Sequence, residues 1–230
     1  SWQKVSDSGP VPKTLTGIGV AGHPHIFQIH NYFVFISTLL GTVWKSDNLM
    51  EWQQWASISD FTPRCGSVSF KVKDTIYIAG GSRAGASGCH YDSPANDAWY
   101  SLDGKSWKIV KPASGTAMNF PWMPRMWPCV VVDEENVTWL VGGYNPDSNT
   151  NLKDVWFSKD MINWDLLTEP ATGEEPGALT FRHAPACLYQ KDSRSILIAG
   201  GKGGANPDND SASTMNDVLV FKLPAINSTH

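Results

Sequence analysis

Three arginines stand at matching places in this sequence, in Pro63-Arg64, Pro124-Arg125 and Phe181-Arg182, each a few residues ahead of a short apolar run. Planar guanidinium donors converging on one point would hold a carboxylate, sulfate or phosphate. The alternative is that each arginine is a structural plug, hydrogen-bonded to carbonyls of its neighbouring repeat. Beside Arg125 lies an unusually aromatic connecting stretch, residues 116–127, whose Phe120, Trp122 and Trp127 could stack on a sugar ring or clasp an apolar ligand. The same rings could instead fold under and plug a channel. His90, Tyr91 and His183 are candidates for acid/base roles by position only, as are Asp92, Glu174 and Glu175, and no Gly-x-Ser-x-Gly, His-Glu-x-x-His or phosphate loop accompanies them. His23-Pro24-His25, Cys89-His90 and His183 carry metal-ligating atoms without zinc-finger spacing. The oxygen-rich loops at 145–149 and 206–210 do not match an EF-hand, so neither a metal nor a cofactor is expected.

The elements that position these groups recur. An apolar run ending in Gly-Gly occurs three times, at Ile76–Gly81, Trp139–Gly143 and Leu197–Gly201, with 62 and 58 residues between successive glycine pairs. Each pair leads through a polar loop into a second recurrent run: Asn96-Asp97-Ala98-Trp99-Tyr100, Lys153-Asp154-Val155-Trp156-Phe157 and Asn216-Asp217-Val218-Leu219-Val220. Gly41-Thr42-Val43-Trp44-Lys45 is a degenerate copy. A turn and a tryptophan follow, from Ser46 to Trp52, Ser101 to Trp107 and Ser158 to Trp164, and read as a hairpin with a tight Asp-Gly type of turn. Asp97, Asp154 and Asp217 recur in every full copy, which suits a turn or strand-entry role better than catalysis. With the run that follows each arginine, the unit is four short strands, and no stretch has helical periodicity.

A repeat of this length made of four antiparallel strands is the pattern of a β-propeller blade. The Gly-Gly after strand two, the aromatic residue in strand three and the tryptophan of strand four resemble the kelch family, and the resemblance covers nearly the whole chain. Ser101 to Trp107 is also similar to the Asp-box turn of sialidase-like propellers, although it lacks the residue usually found between Asp and Gly. The first copy departs most: Phe33 to Ile36 runs into Ser37-Thr38 where Gly-Gly stands elsewhere, and no arginine precedes it. The resemblance implies an all-β propeller, in which five to seven blades are usual; counting the strand-four tryptophans Trp2, Trp52, Trp107 and Trp164 gives four four-stranded blades here, near residues 20–56, 62–111, 123–168 and 181–223, forming a single domain over 1–230. Ser1-Trp2-Gln3-Lys4-Val5 aligns with Ser106–Val110 and Asn163–Leu167, so residues 1–6 are expected to complete the last blade and close the ring as a monomer. A fragment of a larger ring, or an arc that dimerises into eight blades, are the alternatives.

On this scheme the Gly-Gly loops and the segments before Arg64, Arg125 and Arg182 crowd around one mouth of a central channel, the default place for a ligand. Cys65 and Cys89 both fall near the mouth of the second blade, and Cys129 and Cys187 begin strand one of successive blades, giving two expected disulfides. Some kelch proteins bind acidic partner peptides through such arginines, and sialidases hold a carboxylate with an arginine triad. Copper-radical oxidases on kelch-like rings use a Tyr/Cys/His constellation, whose residue types occur here without a matching motif.

Composition sets the outer bounds. Charged residues are 17% of 230 and the formal net charge is −4, with no run of Lys or Arg, which disfavours a nucleic-acid partner. Apolar runs of four or five residues exclude a transmembrane helix. A start at Ser1 fits signal-peptide removal and a cut fragment alike. The four cysteines, whose alternative is four buried free thiols, together with the sequons at Asn136, Asn209 and Asn227, point to an extracellular or secretory-lumen glycoprotein. The expected function is binding: one mouth recognises a small anionic or carbohydrate ligand, or a partner protein segment, through Arg64, Arg125, Arg182, Phe120, Trp122 and Trp127. An enzyme acting there on a sugar or small organic acid, and a structural module of a larger extracellular assembly, are the alternatives.

Overall fold

Short apolar runs separated by Gly, Asp and Ser turns favour antiparallel strands over helices, because alternate residues can then share one buried face. A computed structural model describes residues 25–85, 88–113, 119–167, 182–204 and 214–224. Among the described residues every regular element is a strand, and no helix is long and apolar enough to cross a membrane.

The first sheet is β1 (His25–Ile29), β2 (Tyr32–Ser37), β3 (Thr42–Ser46) and β4 (Gln53–Ser57), in that order. The second repeat opens with β5 (Arg64–Cys65), continues through β6 (Val68–Val72) and β7 (Thr75–Ala79), and rises into a ribbon of β8 (Ser82–Gly85) and β9 (Gly88–Pro94). It returns as β10 (Ala98–Ser101) and β11 (Lys108–Ile109), giving a sheet ordered β11-β10-β7-β6 with β5, β8 and β9 as a separate three-stranded sheet. In the third repeat β12 (Cys129–Val132), β13 (Thr138–Asn145), β14 (Thr150–Ser158) and β15 (Asp165–Leu166) form one sheet. The fourth has the pair β16 (Arg182–His183) and β19 (Lys202–Gly203), and a three-stranded sheet of β17 (Ala186–Gln190), β18 (Ser195–Ala199) and β20 (Val218–Lys222).

Three apolar clusters lie between successive sheets. Val34, Ile36 and Val43 of the first meet Ile76, Ile78 and Trp107 of the second. Phe70, Ala79 and Ala98 of the second meet Leu140 and Trp164 of the third. Val131, Trp139 and Val155 of the third meet Ile196 and Ile198 of the fourth. Backbone bonds run from repeat to repeat as well: Arg64 N–H to Thr38 O (2.9 Å), Gly81 N–H to Arg125 O (2.8 Å), Trp127 N–H to Gly66 O (2.6 Å) and Ala184 N–H to Trp127 O (3.0 Å). This crossing explains the recurrent Gly-Gly. Gly80 and Gly81 have φ of 62° and 87°, and a Cβ on Gly80 would stand 2.7 Å from Arg125 O.

The turn before strand four differs from a two-residue hairpin. In the second repeat Ser101 Oγ accepts from Gly104 N–H (2.8 Å), while Asp103 Oδ1 accepts from Lys105 N–H (2.8 Å) and Ser106 N–H (2.9 Å). Ser46 with Asn48, and Ser158 with Asp160, cap their turns in the same way. The shared signal is Ser-x-Asp/Asn followed by a residue of positive φ, which is Leu49, Gly104 or Met161.

Cys129 and Cys187 form a disulfide that joins β12 to β17, the first strands of two neighbouring sheets. Cys65 is also disulfide-bonded, and the side chain of Cys89, its expected partner, lies outside the described residues. Closure of the ring is not a feature of the described residues. The fourth sheet has three strands, and the segment expected to supply a further one, residues 1–6, lies outside them.

Candidate functional site

Each of the three arginines is buried and already committed. Arg64 donates to Gly80 O (3.0 Å) and to both carboxylate oxygens of Asp97 (2.5 and 3.3 Å). Arg125 does the same with Gly142 O (2.8 Å) and Asp154 (2.7 Å to each oxygen), and Arg182 with Gly200 O (3.0 Å) and Asp217 (2.9 Å to each). The pairing stays inside one repeat: the arginine ahead of strand one clamps the end of strand two to the start of strand three. These acceptors belong to the arginine's own repeat, where the plug, the alternative reading from sequence, has them in the neighbouring one. Aromatic rings three residues earlier cover two of the guanidinium groups, Phe61 at 5.0 Å from Arg64 and Trp122 at 5.9 Å from Arg125.

The recurrent aspartates are therefore counter-ions. Burial, the largest single influence on Asp97, pushes its carboxyl up. The hydrogen bonds and charge of Arg64, the Trp99 indole N–H and the charge of Arg83 outweigh it, and the net shift is downward. The first repeat lacks the arginine and lacks the aspartate too; Thr42 stands there, and its Oγ1 accepts from the Trp44 indole (3.2 Å) as Asp97 Oδ2 does from Trp99 (3.1 Å). That joint presence and joint absence of Arg and Asp is the sequence signal for the pairing.

The aromatic stretch divides. Phe120 and Trp122 are buried, stacked on each other at 5.4 Å and set edge-on to Trp164, inside the cluster between the second and third sheets. Trp127 follows Arg125 and is partly exposed as a residue. Its φ is +49°, a conformation costly for a bulky residue, at a place equivalent to Gly66 (φ 65°) and Ala184 (φ 54°). These three backbones form the hydrogen-bonded run Gly66 O, Trp127, Ala184 N described above.

Around Trp127 the side chains of two repeats converge. Its ring stacks on His183 (5.3 Å, 27°) and Tyr144 (6.4 Å, 19°), which also face each other at 5.3 Å. Asn151 Nδ2 donates to the carbonyls of Lys202 (3.2 Å) and Gly204 (2.8 Å), which fixes its amide and turns Oδ1 toward His183 Nδ1 at 2.6 Å. Because that oxygen only accepts, Nδ1 carries the proton and Nε2 keeps its lone pair. Burial, aided by the charge of Lys202, pushes the His183 pKa down to about 4. The imidazole is therefore neutral at ordinary pH. Tyr144 Oη donates to Asn149 Oδ1 (3.0 Å), completing a rim of rings and amides.

Of the other expected site residues, the side chains of His90 and Tyr91 lie outside the described residues. Asn136 sits half-exposed in the turn between β12 and β13, with φ 63°; Asn209 and Asn227 lie outside the described residues. A small cavity between the third and fourth sheets, lined by Cys129, Gly142, Leu152, Arg182 and Ile198, has room for about one water. Among the described residues no three His, Cys, Asp or Glu side chains cluster as metal ligands. Compared with known proteins, the chain matches no family model, and no curated protein is similar to it in sequence.

Proposed function

We propose that the chain is a kelch-like β-propeller module of the extracellular space that recognises a carbohydrate at the rim built on Trp127. In this reading the four sheets are consecutive blades, and residues 1–6 supply the strand that the last one lacks. The Cys129–Cys187 disulfide favours an oxidising compartment.

One observation carries the binding role. A tryptophan, partly exposed and at φ +49°, stands where the equivalent repeats place Gly66 and Ala184, and its ring stacks on Tyr144 and His183. Strain tolerated at one copy of a repeat marks a place where the side chain is worth its cost. A flat indole edged by amide and imidazole acceptors suits the apolar face and hydroxyl edge of a sugar ring. An anion would find less: Arg64, Arg125 and Arg182 are each neutralised by an aspartate. Arg125 acts here as the clamp behind the rim, and Phe120 and Trp122 as the packing beneath it.

Titration of neutral and acidic oligosaccharides against the protein, followed by calorimetry and tryptophan fluorescence, tests the assignment. Binding of a neutral sugar that Trp127→Ala abolishes and Trp127→Phe partly keeps is the expected result. Binding of acidic sugars alone, or binding unchanged in Trp127→Ala, overturns it.

A further inference from the structure

Thr138 departs from a pattern that the neighbouring repeats keep. It lies in β13 two residues before Leu140, on the face of the third sheet that meets the second, between Val132 on one strand and Ser158 on the other. Counted back from the glycine pair, the same place holds Ile76 in the second repeat and Ile196 in the fourth, and both are fully buried. Thr138 is buried as deeply, at 1% exposure, and its Oγ1 has no hydrogen-bond partner among the described residues. A buried hydroxyl without a partner costs stability that a valine of the same shape would not, so the folded sheet gives no reason for the oxygen.

The reason stands two residues upstream. Asn136-Val137-Thr138 is a sequon, and the enzyme that glycosylates such a motif recognises the hydroxyl of its third residue as well as the amide of its first. In the fold these two ends are separated. Asn136 is partly exposed, at φ 63° in the turn between β12 and β13, where the second and fourth repeats carry Lys73 (φ 52°) and Arg194 (φ 47°). The turn therefore does not demand asparagine. Val137 and Thr138 are buried, with the Val137 N–H donated to Asp133 Oδ1 (2.9 Å) and the Asp133 N–H to Val137 O (3.0 Å). The folded turn thus presents the acceptor residue and withholds the hydroxyl.

We infer that Asn136 is an N-glycosylation site that is modified only before β13 docks, while the Thr138 hydroxyl is still accessible. The donor is an oligosaccharide carried on a lipid diphosphate. Its anomeric carbon bonds to Asn136 Nδ2 as its bond to the diphosphate breaks; the amide gives up one proton to solvent and the lipid diphosphate leaves. Folding then buries Val137 and Thr138 and keeps the sugar-bearing residue at the turn. The buried oxygen is what remains of a group that acted on the unfolded chain. The inference rests on the extracellular part of the proposed function and not on any ligand held at Trp127.

The whole chain, made without glycans, is offered to a purified oligosaccharyltransferase and its lipid-linked donor, once folded and once reduced and unfolded, and Asn136 is followed by peptide mass mapping. The expected result is transfer to Asn136 in the unfolded chain and about tenfold less, or lower still, in the folded one, where only locally opened molecules show the hydroxyl. Thr138→Ser should keep the transfer and Thr138→Val should abolish it. Compared without glycans, Thr138→Val should melt at a higher temperature than the parent chain, which measures the cost of the buried oxygen apart from any transfer. Chain directed into the secretory lumen of eukaryotic cells should carry a glycan at Asn136. Equal transfer to the folded and unfolded chains, no transfer to the unfolded chain, an unmodified Asn136 after secretion, or a Thr138→Val chain that melts no higher overturns the inference. None of these arms involves sugar binding at Trp127, so their failure is distinct from failure of the carbohydrate titration.

Discussion

Arg64–Asp97 and Arg182–Asp217 are one device in two settings. Both guanidinium groups are buried, with side-chain exposures of 1% and 4%, but the Asp97 carboxylate is 10% exposed and that of Asp217 38%. The difference has two causes. Trp99 donates its indole N–H to Asp97, whereas Leu219 stands at that place in the fourth repeat and has nothing to donate. The second repeat also has a following sheet, whose Arg125 carbonyl lies against Gly80 and Gly81, whereas on the fourth sheet Leu188, Val218 and Val220 are exposed. The guanidinium is therefore buried by its own repeat, and the exposure of the carboxylate is set by the indole beside it and by the repeat that follows.

The largest effect that would sharpen this contrast is expected from Arg64→Ala. It leaves Asp97 buried without its counter-ion and should cost about 3–5 kcal/mol in chemical denaturation. Arg182→Ala should cost clearly less, since water reaches Asp217; equal losses would break the comparison. Second in size, replacing Cys129 and Cys187 by Ser removes a link that closes a 58-residue separation across the third and fourth sheets, and should cost about 2–4 kcal/mol. If the fourth sheet is held mainly by the third, hydrogen exchange in that variant should rise first in β17, β18 and β20.

Acid should act next, and in two windows. The folded His183 pKa is pushed from 6.5 down to about 4, so the unfolded chain binds the extra proton and stability falls as pH drops from about 6.5 toward 4. His183→Gln should flatten that slope in melting temperatures measured across the window. Asp97, held below the ordinary carboxylate range, contributes stability that is present above its unfolded pKa and lost as pH falls through its folded one. Arg64→Ala should remove this second loss. The smallest stability effect is expected from Trp127→Gly, within about 1 kcal/mol, as relief at φ +49° offsets the lost ring contacts. Its reciprocal, Gly66→Ala, should be worse, because the new Cβ meets Met126 Cε at 2.8 Å.

Most of the strand pattern is legible in the sequence. Gly-Gly pairs, the Trp99 and Trp156 runs and the Ser-to-Trp turns each fall on the elements that their residue types imply. Cys129 and Cys187 stand at the same place in consecutive repeats, and they are bonded. The candidate site is legible only in part. Trp122 and Trp127 are five residues apart and alike in type, yet one is core and the other rim, because the chain turns about Arg125 between them. Composition cannot distinguish the two sides of that turn. Position alone suggests His183 for acid/base chemistry, and its partner Asn151, 32 residues earlier, carries no local signal.

By itself the sequence determined the kinds of element and most of the points where the chain must turn, since alternation, glycine φ and Ser/Asp caps act over a few residues. Only the tertiary structure decided which charges neutralise each other, which aromatic residues are buried and which strand residues stay exposed. Those outcomes depend on atoms brought together from distant repeats, where burial changes the cost of a charge and the worth of an apolar surface.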